Sequence, residues 1–288
     1  MRFGAVYPQV EFPDDPSAIR EYAQTVEGLG FTHILAYDHI LGANPIRPGG
    51  WTGPYTFADP FMEPIVLFSF MAGLTEKLEF TSGIIILPQR QTALFAKQAA
   101  TLDLLCRGRL RIGIGIGWNE VEYVSLNENF HNRGKRVEEQ VEILNRLWTE
   151  SLVVYNGKWH NIPDAGINPL PNQRPIPIWF GGSHQNVLRR LARFGDGWMP
   201  NYTSPEDAKP SLELLDHFLE QNGRARKDIG LEVRLKYGEG NPDIWRKWLD
   251  SWQLVGATHV SINTMGHKFQ TTAEHINALK FFAKEILA

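Results

Sequence analysis

Along this chain, short runs of apolar residues alternating with small or polar ones give way repeatedly to longer stretches with apolar residues every three or four positions. The first pattern predicts strands and the second helices. Strand 1 runs from Arg2 to Tyr7 and stops at Pro8. Asp15-Pro16 supplies an N-cap and a first-turn proline for a helix whose apolar face is Ile19, Tyr22, Ala23, Val26 and Leu29. Strand 2, Thr32 to Tyr37, ends at Asp38-His39, and a Gly/Pro-rich loop with Trp51 and Tyr55 follows. Next come a helix over about 60–73, strand 3 from Leu78 to Leu87, and a helix capped by Thr92 with Phe95, Ala99, Leu102 and Leu105 inward.

Strand 4 sets Gly113, Gly115 and Gly117 between Ile112, Ile114 and Ile116, then ends on Trp118-Asn119-Glu120. Glycine weakens a strand interior, so the repetition predicts close approach by a ligand or another backbone. The helix from Arg133 to Trp148 is amphipathic through Val137, Val141, Leu144 and Trp148. Residues 151–175 break the rhythm, with a hairpin on Asn156-Gly157 and a Pro/Asn-rich loop, and read as an insertion. Strand 5 (Ile176–Phe180) leads through Gly181-Gly182-Ser183 into a helix, and strand 6 is Gly197 to Met199. A helical stretch to Gln221, strand 7 (Gly230–Leu235), a helix carrying Trp245, Trp248 and Trp252, strand 8 (Thr258–Ile262) and a last helix to Leu287 complete the chain.

Strand then helix, eight times over, predicts an α/β fold of parallel strands with crossover helices, a (β/α)8 TIM barrel as one domain over 1–288. An open doubly wound sheet is the runner-up, but no GxGxxG joins a first strand to a helix. Barrel geometry then sorts the histidines, because the chemistry sits at the C-terminal ends of the strands. His33 and His259 begin strands and read as structural. His39 ends strand 2 and is the candidate proton donor, with Asp38 beside it as an acid able to raise its pKa. Gly181-Gly182-Ser183 reads either as a phosphate cradle at a helix N-terminus or as a glycine turn with a serine N-cap. Trp51 and Trp118 are candidate walls of a substrate pocket.

Composition narrows the classes further. A 43% hydrophobic fraction is ample for a large core, and a net charge of −3 without a basic run argues against nucleic acid or a membrane surface. The longest apolar run, Ile65 to Leu74, is too short to cross a bilayer. The single cysteine, Cys106, excludes an internal disulfide and a cysteine cluster, and with no signal-peptide pattern the expected location is cytoplasmic. No HExxH or carboxylate–histidine spacing predicts a metal. Nine tryptophans is a high count, and those in predicted loops suggest a lined site more than a core.

The run SGIIILPQRQTALFAKQAATLDLLCRGRLRIGIGIGWNEVEY, followed by RGKRVEEQVEILNRLW and PIPIWFGGSHQNVLRRLARFGDGWMP, resembles the bacterial luciferase-like monooxygenase superfamily over nearly the full length. Within it the chain is most similar to the branch that uses the deazaflavin coenzyme F-420. The resemblance implies a barrel with an insertion before strand 5 and an F-420 or FMN ring at the C-terminal mouth. It implies a bulge at Gly83-Ile84, often with a non-proline cis peptide, supporting the ring, and Gly115 is placed with these cofactor residues. It also implies a phosphate held by Gly181, Gly182 and Ser183, an active-site histidine at His39, and a homodimer, as such proteins commonly form. The chain departs from the deazaflavin dehydrogenases in having Ala43 near the place of a tryptophan and Trp118 in place of a catalytic glutamate. The expected activity is hydride transfer or monooxygenation of a small organic molecule, with the substrate open. A flavin-binding protein without turnover is the alternative.

Overall fold

The computed structural model describes residues 1–12 and 15–287. Its eight parallel strands are β1 (Arg2–Val6), β2 (His33–Ala36), β3 (Glu79–Ser82), β4 (Leu110–Gly115), β5 (Ile178–Gly181), β6 (Gly197–Met199), β7 (Gly230–Lys236) and β8 (His259–Asn263). Each pairs with the next, and β8 returns to β1 through Arg2↔His259 and Gly4↔Ser261, so the sheet closes. The predicted TIM barrel is the fold. Around it lie α1 (Pro16–Gly28), α2 (Pro64–Ala72), α3 (Thr92–Leu105), α4 (Arg133–Thr149), α5 (Gln185–Phe194), α6 (Pro205–Gln221), α7 (Pro242–Leu254) and α8 (Thr272–Phe282).

Local chemistry accounts for where these elements start and stop. Asp15 caps α1 as predicted, its carboxylate accepting from the Ser17 N–H. The second helix begins at Pro64, four residues later than expected, because Glu63 caps it by accepting from the Val66 N–H at 2.8 Å. Thr92 does not cap α3; it is the first helical residue, and its hydroxyl meets His160 Nε2 at 2.8 Å and accepts from Gln140. Pro210 sits inside α6 without breaking it.

Strand 3 is not the continuous strand that its apolar run suggests. It stops at Ser82, the Gly83–Ile84 peptide is cis, and pairing resumes only at Ile85-Ile86 against Ile114 and Gly115. Two of the strand 4 glycines are explained here. A Cβ at Gly113 would run into the Ser82 carbonyl, and one at Gly115 would run into the Ile84 side chain. Both close approaches come from the protein itself.

Helices dock on the sheet and on one another through aromatic side chains, each worth roughly 1.5–3 kcal/mol when fully buried. Phe68 of α2 meets Phe80 of β3 at 5.4 Å, and Trp245 of α7 meets Phe282 of α8 at 5.0 Å. Trp252 is buried too, and Trp248 is half-buried with its indole N–H donating to the Thr203 carbonyl. The tryptophan stripe of α7 therefore faces the barrel. Trp148, Trp198, Trp245 and Trp252 are all fully buried, so the high tryptophan count serves the core more than the loops.

His33 and His259 lie at the bottom of the barrel in a polar cluster. Glu232 Oε1 meets His33 Nε2 at 3.0 Å and accepts from Ser261 at 2.6 Å, while its Oε2 accepts from Arg111 at 2.9 Å. Arg111 lies 4.4 Å over the Trp179 ring, which also packs edge-on against His259. Burial pushes the His259 imidazole down to about 3 and lowers His33. Burial would raise Glu232, but Arg111, His33 and Ser261 hold it well below the usual glutamate value.

Between α4 and β5 the chain makes an antiparallel hairpin, Val153–Asn156 with Asn161–Ala165. The reversal takes residues 157–160, longer than a two-residue turn on Asn156-Gly157. The buried Glu139 carboxylate of α4 gathers it, accepting from the backbone N–H groups of Lys158, Trp159 and His160.

Candidate active site

The C-terminal mouth of the barrel is organised around Ile84. Its side chain fills the space that a Cβ would need at either Gly115 or Gly181. Glycines on β4 and β5 thus let a bent β3 push one isoleucine over the barrel top.

His39 follows β2, and its partner is not the acid beside it. Asp38 turns away, accepting from the Ile86 N–H at 2.9 Å and from Arg90 at 2.8 Å, and Arg90 also pairs with Glu63. Burial raises the Asp38 carboxyl, with Arg90 and the Ile86 N–H opposing. The expectation that Asp38 tunes His39 is therefore corrected. The carboxylate that meets His39 is Glu122, with Nδ1 and Oε1 3.2 Å apart. Glu122 Oε1 also accepts from the Ile40 N–H, and Oε2 accepts from Gln89 at 2.9 Å. Burial would raise this carboxyl, but the hydrogen bonds from His39 and Gln89 hold it below the usual range.

Glu122 arrives on a short helix, Glu120–Ser125, capped by Asn119 directly after β4. The sequence pattern singles out Trp118 and Glu120 after this strand, and not Glu122 two positions on. Its signal was indirect: a glutamate that the helix buries has to be paired. The His39 ring packs on Tyr55 and Phe61, both at 4.8 Å, and on Trp118 at 6.0 Å.

Across the mouth, Gly182 adopts φ +103°, a conformation that favours glycine. Its N–H donates to the Met199 carbonyl and its own carbonyl accepts from the Trp198 indole at 2.7 Å. Helix α5 starts only at Gln185, with His184 as N-cap accepting from the Asn186 N–H. Ser183 is therefore not the helix cap. The groups of this loop left to meet an anion are those of Ser183 and His184, not the Gly182 N–H.

These elements enclose a cavity of about 500 Å³. It brings together His39, Gly83, Ile84, Gly115, Trp118, Gly181, Gly182 and Ser183, and it adds Tyr37, Asn201 and Arg234, which sequence reasoning did not single out. Arg234 donates to the Pro200 carbonyl at 3.0 Å and to Asn201 Oδ1. Trp51 is the one candidate outside the lining. It stands behind Trp118 at 5.7 Å, with its indole N–H on the Tyr55 carbonyl. A second lobe of about 280 Å³ adjoins the cavity and shares His39, Tyr55 and Trp118 with it.

A closed parallel barrel with a cleft at its C-terminal mouth defines the class. The luciferase-like monooxygenase family matches residues 1–284, and the chain belongs to that family. It is 30% identical over 92% of its length to an uncharacterized protein of Mycobacterium tuberculosis, covering 93% of that protein. It is 29% identical to an F-420-dependent glucose-6-phosphate dehydrogenase of Segniliparus rotundus, over 80% of this chain and 67% of the relative. It is 30% identical to an FMNH2-dependent dimethylsulfone monooxygenase of Pseudomonas putida, over 74% of this chain and 56% of the relative. A monooxygenase of Streptomyces bottropensis has a similar structure, with TM-score 0.84 at 19% identity, covering 100% of this chain and 99% of that one. Among the described residues no helix is long and apolar enough to cross a membrane.

Proposed function

We propose that this protein is an oxidoreductase that binds F-420 or FMN in the 500 Å³ cavity and acts on a small organic substrate beside His39. One observation carries the reading. The His39–Glu122 pair, the Gly83–Ile84 ledge and the Gly181–Ser183 loop border one cavity. The residues fit such a group. The glycines and Ile84 of the wall offer an apolar surface without bulky polar side chains. The rim holds Ser183, His184, Asn201 and Arg234, suited to a hydroxylated chain and a phosphate. The volume lies within the roughly 300–1,000 Å³ usual for small-ligand sites.

When bound, F-420 would supply hydride transfer and reduced FMN would supply oxygen activation. The protein's own part is binding, orientation and proton movement. Glu122 accepts from Nδ1 of His39 and so leaves Nε2 as the atom that gives or takes a proton at the substrate. Gln89 and the Ile40 N–H fix the carboxylate, and Tyr55, Phe61 and Trp118 fix the ring. Trp51 supports Trp118 from behind.

Residues 1–288 would act as one catalytic domain, with 151–175 as an insertion in it, and the protein would work in the cytoplasm without binding nucleic acid. A homodimer belongs to the same proposal. Since the α7 tryptophans face inward, its interface would lie elsewhere, and the exposed Val66 and Phe70 of α2 are available. The deciding experiment is anaerobic fluorescence titration of the purified protein with F-420 and with FMN. Saturable binding of either at micromolar concentration is expected; no binding of both would overturn the reading.

A further inference from the structure

The two lobes at the mouth differ in charge. The larger cavity carries Arg234, and the one carboxylate in its wall, Asp38, is already paired with Arg90. The smaller lobe is lined by no lysine or arginine, and Asp59 is its one acidic side chain. The Asp59 carboxylate uses Oδ2 to hold the loop, accepting from the Thr56 N–H at 2.7 Å and the Thr56 hydroxyl at 3.0 Å. The other walls of the lobe include Tyr55, Phe61 and Trp118. Behind His39 stands a second carboxylate, Glu122.

We infer that the smaller lobe is the substrate site and that it selects compact apolar molecules that are positively charged or neutral, excluding phosphates and carboxylates. The inference rests on the function proposed above, because it takes the lobe next to His39 as the place of the reacting molecule. Its basis is physical. An anion entering this lobe would leave water for aromatic faces and a carboxylate, and the one wall residue able to carry positive charge, His39, already has Glu122 as its partner, whereas buried charges need a partner of their own. A cation would meet the negative faces of aromatic rings and the Asp59 carboxylate, both attractive. The volume of about 280 Å³ limits the guest to a small molecule. The charge difference also sorts the ligands: an anionic cofactor tail is drawn toward Arg234 and the substrate toward Asp59.

The test uses the protein without cofactor, so it does not depend on which cofactor binds or on turnover. Tryptophan fluorescence is titrated with phenyltrimethylammonium, with its uncharged isostere tert-butylbenzene, and with phenyl phosphate and glucose 6-phosphate. Trp118→Phe locates the signal. The expected result is saturable binding of the cation about tenfold tighter than of the neutral isostere, with neither phosphate binding. Asp59→Asn keeps an oxygen for both Thr56 donors and removes the charge, so it should cut the cation's advantage severalfold, leaving the part that comes from the aromatic faces, and leave the neutral probe unchanged. Binding of either phosphate as tightly as the cation, an unchanged cation preference in Asp59→Asn, or no response to any probe would each overturn the inference. Failure here with intact F-420 or FMN binding would reject the substrate class alone, whereas loss of cofactor binding alone would reject the function.

Discussion

Nδ1 of His39 and Oε1 of Glu122 lie 3.2 Å apart, although 83 positions separate them in the chain. One residue follows β2 and the other rides the short helix after β4, and only the pairing of both strands with β3 brings them together. If Nε2 moves a proton in the transition state, His39→Ala should lower turnover by roughly 10²–10⁴-fold. Cofactor affinity should change much less, because Ser183 and Arg234 lie elsewhere on the cavity rim. His39→Gln could keep one donor but cannot titrate, so it should restore part of the rate and flatten its pH profile. Steady-state rates with reduced cofactor between pH 5 and 8 check both, and parental profiles in both variants would make His39 structural.

Glu122→Gln tests the other half of the pair. The carboxylate receives His39, Ile40 N–H and Gln89, and an amide would turn an N–H₂ group toward one of these donors. A mismatched buried hydrogen bond costs roughly 1–3 kcal/mol. Because the folded carboxyl titrates below its ordinary value of 4.5, its contribution to stability is present above that pH and lost as pH falls through the folded value. Denaturant midpoints of parent and variant should therefore differ at pH 7 and converge below pH 4.5. Turnover should drop as well, by about tenfold, since the imidazole loses its orienting partner while keeping its chemistry. Equal midpoints at pH 7 would remove Glu122 from the site.

Ser183→Asp places a carboxylate where a cofactor phosphate should sit. Loss of one hydrogen bond, roughly 1–3 kcal/mol, together with charge repulsion predicts at least a tenfold loss of affinity for F-420 or FMN. The helix cap is His184, so α5 should be unaffected, and circular dichroism should match the parent. Unchanged affinity in fluorescence titration would separate this loop from the phosphate.

Periodicity made the barrel legible because each strand–helix unit carries its own pattern, and the position of His39 at a strand end followed from that register alone. What stayed hidden is contact between distant segments. Periodicity in SGIIILP does not mark the break at Gly83; only the family resemblance implied a bulge there, because the bend fits Ile84 over Gly115 and Gly181, which lie far off in sequence. Adjacency in the chain also misled: Asp38 is next to His39, but in the loop after β2 its carboxylate goes to Arg90 and the Ile86 N–H. The tryptophans misled in the same way, since an indole on a helix stripe and one in a loop look equally prominent in composition.

The polar cluster under the barrel predicts acid sensitivity. Folded His259 titrates near 3 against an ordinary 6.5, and folded His33 is lowered as well. Between those values the unfolded chain binds more protons than the folded one, so stability falls as pH falls through this window. Each such proton gives a slope of about 1.4 kcal/mol per pH unit. Burial is the leading cause for both rings, and for His259 the neighbouring Arg111 guanidinium acts in the same direction against the attraction of Glu232. Glu232, held well below 4.5, adds a further loss at lower pH. Urea midpoints should be nearly level above pH 7.5 and decline steadily from pH 6.5 to 5. His259→Asn cannot take up that proton in either state, so it should reduce the decline by about one proton's slope. A midpoint that stays level between pH 7 and 5 in the parent would show that the imidazoles at the barrel floor are not kept neutral.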